Sequence, residues 1–371
     1  MTQTDTTPRL HSLDALRGFD MFWIIGGEGI FHSLAALTGW PVAVWASTQL
    51  EHVAWNGFVF YDMIFPLFLF IAGVAVPFSV GKRLDRGDSR SSIMWHVVRR
   101  GLLLVLLGIV YNNGLFRVPF ESMRFPSVLG RIGLAYMFAA LIFINTKLRT
   151  QVIWFFGLLL GYWAALLLIP VPGFGAGNLT TEGSLVAYVD RMLLPGRLYL
   201  GVHDPEGLLS TIPAIGTALL GIFAGHLLRS DTSRILPARK ALYLAVAGAA
   251  LLIIGKTWGL VFPINKNLWT SSFTLYAGGW SLLLLALFYA VIDVRGWKSW
   301  AFFFVVIGMN SITIYMAAHI INFSFTTDFF LKGLLAPLNH DLARMIWWAG
   351  FVMVEWFFLY FLYRKRVFLR I

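Results

Sequence analysis

The sequence predicts an all-α, polytopic transmembrane helix bundle of about ten spans with both termini cytoplasmic. Three observations carry this. Charge is scarce: 58% of the residues are hydrophobic, 13% are charged and the mean hydropathy is +0.74. A soluble domain carries about 25% charged residues, so lipid must cover much of this surface. Apolar runs such as "VIWFFGLLLGYWAALLLI" have the length of roughly 20 residues that a bilayer core demands. Finally, Lys and Arg alternate between loops, as the positive-inside rule requires.

The spans read as about 13–37, 56–80, 94–115, 127–146, 152–170, 208–228, 238–258, 268–292, 300–322 and 343–363. The first twelve residues, MTQTDTTPRLHS, are polar and lack a small-residue cleavage site, so the first apolar segment is expected to stay in the membrane. The third span is the weakest, because its uninterrupted apolar run is only Gly101–Tyr111 and Arg99 and Arg100 must snorkel. Lys147–Thr150 leaves room only for a tight hairpin between the fourth and fifth spans.

Of the 29 Lys and Arg residues, twenty fall on the side that holds both termini and nine on the other. The rich side is expected to be cytoplasmic. This placement explains the net charge of +11 better than nucleic-acid binding does. It also offers Lys82, Arg83, Arg99 and Arg100 to an anionic cytoplasmic ligand. With no cysteine, disulfides, acyl-cysteine intermediates and thiolate metal sites are excluded. The loops at 38–55 and 171–207 are long for a bundle, and loops of that length usually build something. No linker divides the chain, which reads as one domain over 1–371.

Ionisable residues inside spans are costly and mark function. Asp14 and Arg17 are three apart and can pair on one helix face. Glu28, in "IIGGEGIF", lies roughly 21 Å farther along the helix than Asp14. Asp62 follows "EHVAWNG", which holds Glu51, His52, Trp55 and Asn56. A histidine near a carboxylate suits general-base work. Asp204 and Glu206 precede the sixth span and read as helix-capping acids. "PINKNLW" places Asn265, Lys266 and Asn267 in a short turn, and "GMNS" places Asn310 and Ser311 mid-span, with His319 beyond. The chain has no phosphate-binding glycine loop ahead of a Lys, no GxSxG and no HExxH.

These stretches resemble the transmembrane heparan-α-glucosaminide N-acetyltransferase family and its bacterial relatives. The resemblance rests on "SLDALRGFDMFW", "HVAWNGFVFYDMIFPLFLFIAG", "PSVLGRIGLAY", "YVDRMLLPG", "DPEGLLSTIPAIGTALLGIFAG", "PINKNLWTSSF" and "IGMNSITIYM", in the family's order from about residue 12 to 320. It implies transfer of an acetyl group from cytoplasmic acetyl-CoA to an amine of an amino sugar on the far side. It covers the membrane core only, without the large N-terminal luminal domain of the lysosomal enzyme, and implies a bacterial cytoplasmic membrane as the location.

His52 occupies the place of the family's active-site histidine, whereas Glu28 stands where the eukaryotic relatives align an asparagine. The expected catalytic set is therefore His52, Glu28 and Asp62. Trp55, Asn56, Asp204, Glu206, Asn265, Lys266, Asn267 and Asn310 are expected to bind the acceptor. Lys82, Arg83, Arg99, Arg100, Arg131 and Ser311 are expected to hold CoA. No metal and no nucleic acid are expected; lipid is a partner, and self-association as a homodimer stays open. O-acylation of a cell-envelope glycan is the competing chemistry. An ion- or proton-coupled transporter is the competing class, disfavoured by the lack of an internal repeat.

Overall fold

The computed structural model describes residues 10–114 and 118–368. Among these the chain is helical, with no strand and only two isolated bridges. The helices are α1 (His11–Phe22), α2 (Glu28–Thr38), α3 (Pro41–Gln49), α4 (Ile64–Asp85), α5 (Arg90–Asn113), α6 (Val128–Asn145), α7 (Leu148–Leu168) and α8 (Leu185–Leu193). They continue with α9 (Thr211–Arg229), α10 (Pro237–Trp258), α11 (Ser271–Phe288), α12 (Phe302–Met309), α13 (Ser311–Ile320), α14 (Phe323–Leu335) and α15 (His340–Arg364). Among the described residues, nine segments are long and apolar enough to cross a membrane. A tenth forms if α12 and α13, bent by 69°, count as one broken span. They fall, in order, on the ten predicted spans. Arg9, Arg117 and Arg370, counted above for orientation, lie outside the described residues.

Three details differ from the sequence reading. Both long loops contain a short helix, α3 and α8, and a third, α14, lies between the last two spans. The first span is interrupted by a π-helical turn at Trp23–Gly27, where Ile25 (φ −88°, ψ 17°) and Gly26 (φ 114°, ψ 2°) leave helical geometry. Only glycine adopts the Gly26 conformation without strain. The second span starts later than predicted, at the 3₁₀ turn Phe60–Met63. Gly57 (φ 130°) and the extended Val59 precede it. Asp62 therefore sits in the first turn of its span rather than two turns inside.

The chain forms two compact units. Of the described residues, one contains 10–50, 235–245 and 283–368; the other contains 51–114, 118–234 and 246–282. In the first, α1 lies along α12, and α15 packs on α2 and α14. A Cβ on Gly18 would come within 1.7 Å of the Phe304 carbonyl oxygen, and one on Gly308 within 1.9 Å of that of Asp14. The two backbones touch, which is the usual reason for small residues at membrane helix crossings. In the second unit α4 is central, against α9 and α6, with α5 on α6 and α7 on α9. Gly73 and Gly221 play the same part there, each with a Cβ position 2.1 Å from a backbone oxygen of the other helix.

At one end of the second unit, Tyr162, Leu166, Val171, Leu185, Val186, Phe262 and Leu268 form a buried cluster that Trp55 and Trp258 flank. This cluster packs α8 and the turn after α10 onto α7. It is the platform on which the candidate site stands.

Candidate active site

The site centres on His52. Its Nδ1 lies 2.9 Å from Asp62 Oδ1. A carboxylate only accepts, so Nδ1 carries the proton and donates it, which leaves the lone pair on Nε2. The Asp62 carboxyl is buried at 1% side-chain exposure, while the His52 side chain is 53% exposed. The other oxygen of Asp62 accepts from the Val59 N–H at 3.3 Å. One carboxylate thus closes the first turn of its helix and orients the imidazole, and Tyr61 packs on that ring at 4.9 Å.

Lys266 arrives from far along the chain. Its Nζ stands 3.1 Å and 3.3 Å from the two ring nitrogens of His52 and 3.4 Å from Asp62 Oδ1. Being nearly equidistant from both nitrogens, the ammonium faces the ring rather than the end of one lone pair. Burial lowers the Lys266 pKa, with Asp62 and Glu206 pulling against that shift.

The turn carrying Lys266 is tightly built. Asn265 is fully buried. Its Oδ1 accepts from the Leu268 N–H at 2.8 Å, and its Nδ2 donates to Asn56 Oδ1 at 3.0 Å. Both ends of its amide are used, so its role is to hold Asn56. The exposed Asn56 is thereby oriented with Nδ2 as its free donor. The Gly57 N–H donates to the Ile264 carbonyl at 2.9 Å, a second tie between the two segments. Tyr162 donates to the Leu268 carbonyl at 2.5 Å, and Trp269, with φ 49°, donates from Nε1 to Thr217 at 3.2 Å. Trp55 donates to the Leu179 carbonyl at 2.9 Å and meets His203 edge-on.

Behind this turn lies a buried ionic cluster. Arg124 donates through Nε and Nη2 to both oxygens of Asp204, at 2.8 and 2.7 Å, and through Nη2 to Glu206. Burial opposes the Arg124 charge, but the bonds to Asp204 and the charges of Glu206 and Asp204 outweigh it and raise the pKa. Burial raises the Glu206 carboxyl, with Arg131 and Arg124 pulling it back. Asp190 accepts from the Leu208 N–H at 3.0 Å and is pushed up to about 6 by burial. His203 Nε2 donates to the Asn267 carbonyl at 3.2 Å, and burial takes its pKa down to about 4. Arg131 is buried beneath, bonded to Ser210 and to the Gly207 carbonyl, its guanidinium 5.0 Å from the Trp269 ring centre.

The structure brings together His52, Trp55, Asn56, Asp62, Asn265, Lys266 and Asn267. It sets Asp204 and Glu206 behind them, bound to Arg124 instead of capping α9, whose start at Thr211 has no side-chain cap. Lys82 and Arg83 lie in the last turn of α4, and Arg99 and Arg100 lie more than two turns into α5. Arg83 is held by Asp88 at 2.9 Å, and Arg100 lies over the Tyr136 ring at 4.7 Å. Glu28, Asn310 and Ser311 belong to the other unit: Glu28 directly follows the π turn, and Asn310 and Ser311 form the break between α12 and α13. Arg124 and Asp190 escaped the sequence reading. Arg124 stands in the loop before α6 and Asp190 within α8, and the partners that tie them to the site come from the segment before α9.

A family described as "Domain of unknown function (DUF5009)" matches residues 9–115. Human heparan-alpha-glucosaminide N-acetyltransferase is 29% identical over 98% of this chain and 60% of its own length. The mouse protein of that name is 27% identical over 100% of this chain and 62% of its own length. The chain thus spans about three-fifths of the length of the curated relatives it matches, and over nearly the whole of its own length it is homologous to heparan-alpha-glucosaminide N-acetyltransferase.

Proposed function

We infer that this protein is a transmembrane acetyltransferase that moves an acetyl group from cytoplasmic acetyl-CoA to an amine of an amino sugar at the opposite face of the membrane. The observation that carries this reading is the oriented His52, with Asp62 behind its Nδ1 and Lys266 against its face. His52 Nε2 takes a proton from the acceptor amine as the amine nitrogen attacks the thioester carbonyl. The new N–C bond forms, the C–S bond breaks, and the proton passes to the departing sulfur. The products are an amide and the free CoA thiol. Asp62 stabilises the imidazolium formed on the way. The Lys266 ammonium and Asn56 Nδ2 are the donors suited to the oxyanion of the tetrahedral intermediate. Direct transfer needs only this one base, and we prefer it to an acetyl-histidine intermediate. Lys82, Arg83, Arg99 and Arg100 are suited to the CoA phosphates.

Purified full-length protein given acetyl-CoA and glucosamine tests the reading. Thiol release should depend on the amine, and the product should carry the mass of one acetyl group. His52→Asn should lose about 10²–10⁴-fold in rate, the usual cost of a missing general base, while still binding CoA. Wild-type rates in both His52→Asn and His52→Gln, or thiol release indifferent to the amine, would overturn it.

A further inference from the structure

The first unit holds two carboxyl groups that acetyl transfer does not use. Asp20 on α1 and Glu355 on α15 are both 0% exposed. Both lie inside segments long and apolar enough to cross a membrane. Among the described residues, none of their four oxygens has a hydrogen-bond partner. An ionised carboxylate so placed loses its hydration and receives nothing in return, whereas a neutral acid pays far less. Intramembrane acids in this position are functional by default.

The two acids flank the break in the first span. Asp20 is five residues before Ile25, roughly 7.5 Å along the helix. Across the unit, Phe351 is one turn before Glu355, and its ring lies 3.2 Å from the Cβ position of Gly26. The break loosens the backbone hydrogen-bond ladder between them, and π turns of this kind recur at functional sites. In secondary transporters, interrupted membrane helices form the sites of substrates and coupling ions, protons among them.

Among the described residues neither acid has an ion-pair or hydrogen-bond partner. Around Glu355, Val352 and Leu359 are buried on the same helix, and Trp356 stacks on Phe303 and Tyr360. The titratable groups on the elements packed against α15 are Glu28 and His32 on α2 and Asp328 and Lys332 on α14; α12 and the Trp23–Gly27 turn carry none. His32 bonds Ser47, and Asp328 accepts from Trp347. For Asp20, α1 itself carries His11 and the Asp14–Arg17 pair at 3.7 Å. The elements packed on α1 add Tyr289 and Asp293, the latter accepting from the His11 and Ser12 N–H groups, and Tyr315 and His319 on α13.

We propose that Glu355 and Asp20 each carry a bound proton in the resting protein, making the first unit a membrane-embedded proton-binding site around the broken first span. This is independent of the acetyl-transfer reading, and its failure would leave that reading untouched.

Dicyclohexylcarbodiimide, an apolar reagent, tests it on the full-length protein in detergent. Only the protonated acid reacts: its O–H adds across a C=N bond, the proton going to nitrogen and the oxygen to carbon. Peptide mass mapping should find label on Glu355 at neutral pH, falling as the pH is raised. The infrared spectrum should show protonated-carboxyl C=O stretches, with one lost in Glu355→Gln and another in Asp20→Asn. Both amides imitate the neutral acid, so both variants should fold with an unchanged melting temperature. Absence of label and of protonated-acid bands would overturn the proposal. So would protection of Glu355 by sodium chloride at constant pH, which would make the site one for a metal cation.

Discussion

Replacing Asp62 by Asn removes one charge and almost no volume, so it isolates what the carboxylate contributes to catalysis. In the structure Asp62 Oδ1 lies 2.9 Å from His52 Nδ1 and 3.4 Å from Lys266 Nζ. With charge centres ~4 Å apart and an effective dielectric of about 20, a carboxylate and an imidazolium attract by about 4 kcal/mol. His52 is half exposed, so solvent screening takes about half of that, leaving about 2 kcal/mol as the lower figure. At 1.36 kcal/mol per tenfold change, kcat should fall by about 30- to 1,000-fold. CoA affinity should be unchanged, because no CoA contact is assigned to this carboxylate. The assay is acetylated product by mass spectrometry at saturating acetyl-CoA, with CoA binding by calorimetry. A kcat within threefold of wild type would refute the reasoning, because His52 would then act without its carboxylate.

Other outcomes follow from the same geometry. Arg124→Ala leaves the buried Asp204 and Glu206 facing each other; breaking such a pair costs about 3–5 kcal/mol, and the melting temperature in detergent should drop sharply. Asp190 and His203, 3.9 Å apart, oppose each other on acidification. Asp190, raised from 3.8 to about 6, adds stability as pH falls through 6, whereas His203, lowered from 6.5 to about 4, removes it as pH falls from 6.5. Each shift is worth about 3 kcal/mol at 1.36 kcal/mol per unit, so Asp190→Asn should make stability between pH 6.5 and 4 fall more steeply than in wild type. Parallel slopes would show that Asp190 titrates normally. Neutralising Lys82, Arg83, Arg99 and Arg100 together should weaken CoA binding more than acceptor binding; equal CoA affinity would assign them to topology alone. Reporter fusions after Arg90 and after Pro205 should report opposite sides of the membrane, and the same side for both would end the assignment of His52 to the far face.

The spans were legible because the bilayer sets a length and an apolarity that any window of the sequence displays. The breaks were not. Gly26 reads as one glycine among several, and the rings that lie where its Cβ would be, those of Trp348 and Phe351, come from more than 300 residues away. His52 and Asp62 were readable as a pair because ten residues separate them and one helix start serves both. Lys266 could be named but not placed, since 214 residues separate it from His52. Asp204 and Glu206 looked like caps because local sequence shows only the helix that follows, while their partner Arg124 comes from the loop before α6. Arg131 looked suited to phosphate, yet it is sealed beneath the site with Ser210 and Trp269.

The pairing of the Gly57 N–H with the Ile264 carbonyl also bears on how the protein ages. In a flexible peptide an Asn-Gly pair closes on itself: the glycine nitrogen attacks the side-chain amide, ammonia leaves, and the ring reopens to aspartate or isoaspartate. At Asn56 that change would replace the free Nδ2 donor with an anionic oxygen. Here the attacking nitrogen is bonded at 2.9 Å to a carbonyl from another segment, and the Asn56 Oδ1 is held by Asn265. The same two bonds that aim Asn56 keep its amide and the glycine nitrogen apart, so the folded state protects the chemistry of its own site over time.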